Sequence, residues 1–243
     1  RTLAALARHC GNVSLALLQG RTVGEDSVTL DDLVQMDGPR FGPASGDKPE
    51  QLVILLHGVG ADGQDLIGLA PFLAKTLPNA AFVSPNAPFP CDMAPFGYQW
   101  FSVQDRSPPA LLGGVQATAP MLNAFIDSEL ARHEVSAKQT ALIGFSQGTM
   151  MSLFVAPRRD EAFAGVVGFS GRLIAPELLA DEIQARPPVV LVHGDADEVV
   201  PYESLSLAEE GLKTAGIEVE TMTRPGLGHG IDPEGMARAS SFL

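Results

Sequence analysis

Apolar side chains fall into short uninterrupted runs separated by longer amphipathic stretches. Leu52-Val53-Ile54-Leu55-Leu56, Ala80-Ala81-Phe82-Val83-Ser84, Thr140-Ala141-Leu142-Ile143-Gly144, Gly165-Val166-Val167-Gly168-Phe169 and Val189-Val190-Leu191-Val192-His193 are the clearest. A weaker run, with alternating glutamates, spans about 217–222. Runs without polar alternation suit strands buried on both faces, the mark of a parallel sheet covered by helices. Helical periodicity fills the gaps at about 64–76, 113–134, 147–156, 176–185, 203–215 and 232–242, and Pro157 is expected to stop the third helix. This alternation predicts one α/β domain with right-handed crossovers. The central sheet should be mostly parallel, with helices on both faces.

The beginning of the chain follows another rule. Leu3, Leu6, Ala7, Cys10, Ser14 and Leu17 recur at helical spacing, Gly11 weakens that helix, and a polar stretch follows from Gly20 to Asp32. Residues 1–35 are therefore expected to form an extension, and 36–243 the main domain. Glycine and proline punctuate Met36 to Asp47, predicting a loop or a short edge strand.

Composition narrows the function. Of 243 residues, 45% are hydrophobic and 19% charged, an ordinary globular balance. The net charge of −13 disfavours a nucleic-acid partner, because phosphate backbones are bound by basic patches. No run approaches the roughly 18 apolar residues of a membrane span, so stable membrane insertion is not expected. Leu3-Ala4-Ala5-Leu6-Ala7 is cut off by Arg8 and His9, too soon for a secretory signal. Cys10 and Cys91 make neither a disulfide framework nor a zinc cluster, and a cytoplasmic setting is expected.

Open parallel sheets place their sites at the C-terminal ends of the strands. Gly144-Phe145-Ser146-Gln147-Gly148 is a G-x-S-x-G between a predicted strand and a predicted helix, where a strained turn would present a serine hydroxyl at a helix N-terminus. Gly168-Phe169-Ser170-Gly171-Arg172 also follows a strand but lacks the second glycine, so Ser170 is expected to be structural or a lining residue.

A serine nucleophile needs a base, normally an imidazole steered by a carboxylate, and on such sheets the chain order is Ser, Asp or Glu, His. Only His193 and His229 follow Ser146. His193 closes a strand and suits a packed imidazole. His229 lies in Gly228-His229-Gly230, a flexible loop able to fold over the serine, and is the expected base. Asp197 can reach His229, whereas Asp195 is expected to hydrogen-bond its own loop. Backbone N–H groups of Gln147 and Val59 are the expected oxyanion donors. For His57, upstream of the serine, a structural hydrogen bond is expected.

Four motifs now carry a resemblance: Leu56-His57-Gly58 with Gly60-Ala61-Asp62-Gly63, the G-x-S-x-G at 144–148, His193-Gly194-Asp195-Ala196-Asp197, and Gly228-His229. From about Met36 onward the chain resembles the phospholipase/carboxylesterase family of α/β-hydrolases, which includes small bacterial carboxylesterases and acyl-protein thioesterases. The resemblance implies an α/β-hydrolase fold without a large lid domain, a Ser146–Asp197–His229 triad and an oxyanion hole at Val59 and Gln147. It also implies hydrolysis of short- to medium-chain acyl esters through an acyl-enzyme, with no metal or organic cofactor. The expected partner is a small acyl ester, and a homodimer stays open. Leu66, Ile67, Phe96, Trp100 and Phe101 are candidate pocket residues. A thioesterase or lysophospholipase with the same triad is the alternative, and a catalytically silent binding module is the reading from another class. Val59 stands where relatives usually carry a larger residue, residues 1–35 have no counterpart in the short members, and the C-terminus is expected to be trimmed.

Overall fold

The computed structural model describes residues 36–243, so the expected extension over 1–35 lies outside the described residues. The segment after Met36 supplies strand β1 (Arg40–Phe41), and the apolar runs become β2 (Gln51–Leu56), β3 (Ala80–Val83), β6 (Thr140–Phe145), β7 (Gly165–Phe169), β8 (Val189–Gly194) and β9 (Val219–Arg224). They form a seven-stranded sheet in the order β1-β3-β2-β6-β7-β8-β9. Only β1 is antiparallel to its neighbour, giving the expected edge strand of the 36–47 segment. A small antiparallel pair, β4 (Phe89–Pro90) and β5 (Tyr98–Gln99), stands apart. These two strands carry too little apolar pattern to be read from sequence.

Helices α1 (Gly63–Ile67), α2 (Ala70–Leu73), α3 (Pro108–His133), α4 (Gln147–Val155), α5 (Pro176–Glu182), α6 (Glu203–Thr214) and α7 (Pro233–Phe242) complete the described elements, apart from short 3₁₀ turns. The stretch expected as one helix over 64–76 is two. Pro71 has no N–H to give the carbonyl four residues back, and the helix that Asp62 caps ends at Gly68. Helix α3 starts at Pro108 rather than 113, because its two leading prolines sit where no backbone donor is required. Helix α5 ends at Glu182 rather than 185, since the Gln184 and Ala185 N–H groups donate to Pro157 O instead. Strand β9 begins two residues late for a related reason. Gly216 takes φ +76°, its N–H donates to Lys213 O, and the Ile217 N–H donates to Leu212 O, so this pair closes α6 as a Schellman motif.

Alternate residues of β2 serve opposite faces. Leu52, Ile54 and Leu56 pack with Leu122 and Ile126 of α3 and Met151 of α4. Val53 and Leu55 pack with Leu66 of α1, Leu73 of α2 and Met236 of α7. Both faces are thus covered, as the unalternated runs require. From β2 the chain moves outward to β3, then returns to the far side of β2 as β6. The reversal opens a crevice at the C-terminal ends of β2 and β6, where His57-Gly58-Val59 and Ser146 emerge.

Candidate active site

Ser146 joins β6 to α4 with φ 53° and ψ −113°, a backbone state that side-chain-bearing residues rarely adopt. The neighbouring glycines make room for it. A Cβ on Gly148 would lie 1.8 Å from Leu56 O, and one on Gly144 would lie 2.4 Å from Thr149 N. The turn is tied to β7 by the Ser146 N–H, which donates to Phe169 O at 2.8 Å. Thr149 Oγ1 braces it, within hydrogen-bond distance of both Gly144 O and Phe169 O.

His229 and Asp197 come from two loops that are strapped together. His229 lies between β9 and α7, and its Nδ1 is 2.7 Å from Asp197 Oδ2. The other carboxylate oxygen accepts the N–H groups of Val199 and Val200, each at 2.9 Å. Burial pushes the Asp197 carboxyl up, but the bonds from His229, Val200 and Val199 outweigh it and hold it below its ordinary 3.8. The histidine loop, expected to be flexible, is pinned. Gly226 N–H donates to Asp195 Oδ1 at 2.6 Å, and Ala196 N–H donates to Leu227 O at 3.1 Å. Asp195 therefore stabilises the neighbouring loop rather than its own. Gly194 permits this close approach, since a Cβ there would lie 2.1 Å from Leu227 O. The His229 ring rests on Phe145, centroids 4.8 Å apart, next to Ser146. His193 is buried, with Nε2 3.0 Å from Val200 O and 3.3 Å from Asp197 Oδ2, a packed imidazole behind the carboxylate.

The loop after β2 is fixed from the other side. Gly60 N–H donates to Tyr98 O and Tyr98 N–H to Ala61 O, both at 2.8 Å, so β5 clamps it. Among the described residues the Val59 N–H has no backbone acceptor, and the Gln147 N–H is the first of α4, without an intrahelical partner. His57 Nε2 accepts the Ala87 N–H at 2.9 Å, so its Nδ1 carries the proton and donates to Gly58 O at 2.7 Å. Burial lowers its pKa, and the ring is a neutral structural brace.

Sequence reading missed what the Gln147 side chain does. It accepts the Trp100 N–H at 2.8 Å and donates to Phe101 O at 2.7 Å, fixing the segment beneath the site. A glutamine directly after the serine of the G-x-S-x-G was the available signal. Val59, Ser146 and Gln147 share a cavity of about 370 Å³ with Leu111, Met150 and Arg172. None of the five candidate pocket residues lines it. Trp100 and Phe101 are core side chains, the first donating Nε1–H to His57 O, and Leu66 and Ile67 of α1 pack on the opposite sheet face. Phe96 stands 73% exposed on the β4–β5 turn. Aromatic type alone did not separate core from wall.

The phospholipase/carboxylesterase family model matches residues 43–243. Esterase YpfH of Escherichia coli is 32% identical over 209 residues, covering 86% of this chain and 88% of that protein. Acyl-protein thioesterase 1 homolog 1 of Dictyostelium discoideum is 28% identical over 202 residues, covering 79% and 88%. Among solved structures, esterase PE8 is 40% identical with a TM-score of 0.83, covering 86% of this chain and 98% of that one. By fold and by sequence, this chain belongs to the phospholipase/carboxylesterase family of α/β-hydrolases.

Proposed function

We propose that the chain is a serine carboxylesterase acting on short- to medium-chain acyl esters, with residues 36–243 as its catalytic domain and 1–35 as an extension. The observation that carries this reading is the Asp197–His229 hydrogen bond of 2.7 Å, with the His229 ring packed on Phe145, the residue before a serine held at positive φ. His229 Nδ1 gives its proton to that bond, which leaves Nε2 as the acceptor a serine hydroxyl needs. Ser146 Oγ attacks the ester carbonyl while His229 takes its proton. The N–H groups of Val59 and Gln147 hold the oxyanion, each such donor being worth roughly 3–4 kcal/mol. The imidazolium then protonates the departing alcohol, leaving an acyl-enzyme. Water attacks in turn, His229 accepting its proton and returning it to Ser146 as the acid departs. Cytoplasmic residence fits a chain with only two cysteines, Cys10 and Cys91, too few for a disulfide framework.

The similarity to a protein named acyl-protein thioesterase supports a second reading, thioester hydrolysis by the same groups. Rates on p-nitrophenyl esters, acyl thioesters and lysophospholipids, measured in parallel, separate the substrates. A fluorophosphonate should label Ser146, and Ser146→Ala should abolish turnover while remaining folded. No adduct on folded protein would instead favour a silent binding module.

A further inference from the structure

The segment Gly168-Phe169-Ser170-Gly171-Arg172 imitates the nucleophile turn in sequence yet takes no part in the chemistry above. Its serine also sits at positive φ. Ser170 has φ 47°, and its buried hydroxyl has no hydrogen-bond partner among the described residues. The segment is wedged against the nucleophile turn, since a Cβ on Gly171 would lie 2.3 Å from Thr149 Cβ and 3.0 Å from Ser146 O. Strain of this kind persists only where the surroundings over-determine it. Its consequence is to fix residue 172 beside the nucleophile.

Arg172 lines the same cavity as Ser146 and also borders an adjoining groove of about 390 Å³ between α5 and α6. Arg106 reaches the cavity from the segment before α3. Both guanidiniums lack a carboxylate partner among the described residues, as does Arg186, which bonds Ala215 O outside this cavity, whereas Arg40, Arg132, Arg158, Arg159, Arg224 and Arg238 all have one. Arg106 makes only a long bond of 3.4 Å to Val103 O. Glu198 is the single carboxylate among the cavity's lining residues, so the wall keeps an excess of positive charge in a chain of net charge −13. Arg172 is half-buried and Arg106 exposed, so both guanidiniums are open to a ligand, and their planar forks match a carboxylate or a phosphate.

We propose that Arg172, assisted by Arg106, binds an oxyanionic group on the substrate, so that the preferred esters carry a carboxylate or phosphate close to the scissile bond. This rests on the ester-hydrolase reading and names its substrate class. The test compares matched pairs by pH-stat: monomethyl succinate with methyl pentanoate, 4-acetoxybutyrate with pentyl acetate, and 2-acetoxyethyl phosphate with butyl acetate. These put a carboxylate on the acyl side, a carboxylate on the alcohol side and a phosphate on the alcohol side. At least one anionic member should exceed its neutral partner about tenfold in kcat/KM, a charge-assisted effect. Arg172→Gln should cut that ratio at least fivefold, Arg172→Lys should keep part of it, and circular dichroism checks that both variants fold. Neutral members equal or better in all three pairs, or a ratio that survives Arg172→Gln, would overturn the proposal. Fluorophosphonate labelling of Ser146 and turnover of p-nitrophenyl acetate separate the two failures. If both succeed while the pairs show no anionic preference, only the charge recognition falls; if both fail, the esterase reading falls with it.

Discussion

Replacing Asp197 with asparagine tests the proposed triad most directly, because the structure dictates how the amide must sit. Asp197 Oδ1 accepts two backbone N–H groups, from Val199 and Val200. Turning an NH₂ toward them would set donor against donor and lose two buried bonds, at about 1–3 kcal/mol each. The amide oxygen therefore stays there, and the NH₂ takes the Oδ2 place, 2.7 Å from His229 Nδ1. His229 Nδ1 must then accept, the proton moves to Nε2, and the ring can no longer take a proton from Ser146. A wrong tautomer of this kind costs about 10⁴-fold in kcat, or roughly 5.4 kcal/mol of transition-state stabilisation. The neutral amide is nearly isosteric with the carboxylate and keeps both backbone bonds, so unfolding stability should change by less than about 2 kcal/mol. Initial rates on p-nitrophenyl acetate, with urea titrations of both proteins, read the two effects separately. Asp195→Asn is the control. Its Oδ1 touches only the Gly226 N–H, and its loss should stay under about tenfold. An Asp197→Asn rate within tenfold of wild type, or a control that falls as far, would refute Asp197 as the group that orients the base.

Three further outcomes follow from the same geometry. Gly148→Ala places a methyl 1.8 Å from Leu56 O and should destabilise by about 3 kcal/mol or more, seen as a lowered urea midpoint together with lost fluorophosphonate labelling. Gln147→Ala leaves the Trp100 N–H and Phe101 O without their partner, and should cost roughly 2–4 kcal/mol of unfolding free energy even though its own backbone N–H is untouched. His57 is held neutral by burial, its pKa below the ordinary 6.5. Below about pH 6.5 the unfolded chain binds a proton that the folded state refuses, so stability falls by up to about 1.4 kcal/mol per pH unit until the folded value is reached. His57→Gln should flatten that slope in chemical denaturation at pH 5 to 7, and an unchanged slope would show that His57 does not carry it.

How much of this was legible depended on whether the signal was local. Strands β2, β6, β7 and β8 announced themselves as unalternated apolar runs, because both sheet faces are buried. Their C-terminal ends located Ser146, Val59 and the Asp197 loop, since in this topology those ends are the crevice. Element boundaries slipped where a backbone donor was missing, as at Pro71, or had another use, as at Gln184 and at the Gly216 close of α6 that delays β9. The cavity wall was least legible. Leu111, Met150 and Arg172 come from segments far apart in sequence, with no shared motif and no periodicity that differs from core packing. The five aromatic and aliphatic residues chosen for that wall have the right chemistry, but the core uses four of them and Phe96 lies on the surface.

The G-x-S-x-G motif shows why its signal was strong even so. Neither Gly144 nor Gly148 has positive φ, whereas Ser146 does, so the glycines are not there for conformational freedom. Each yields space to backbone: Gly148 to the Leu56 carbonyl of β2, and Gly144 to the first turn of α4. The pattern therefore encodes a contact between neighbouring parallel strands and the helix that leaves one of them. It works only where β2 and β6 are adjacent, which is also where the sheet reverses and the crevice opens. The second turn lacks this condition at its fifth residue and carries Arg172 there instead. One helix-to-strand contact, Gly148 on the Leu56 carbonyl, thus separates the turn that presents Ser146 from the similar turn that holds Ser170.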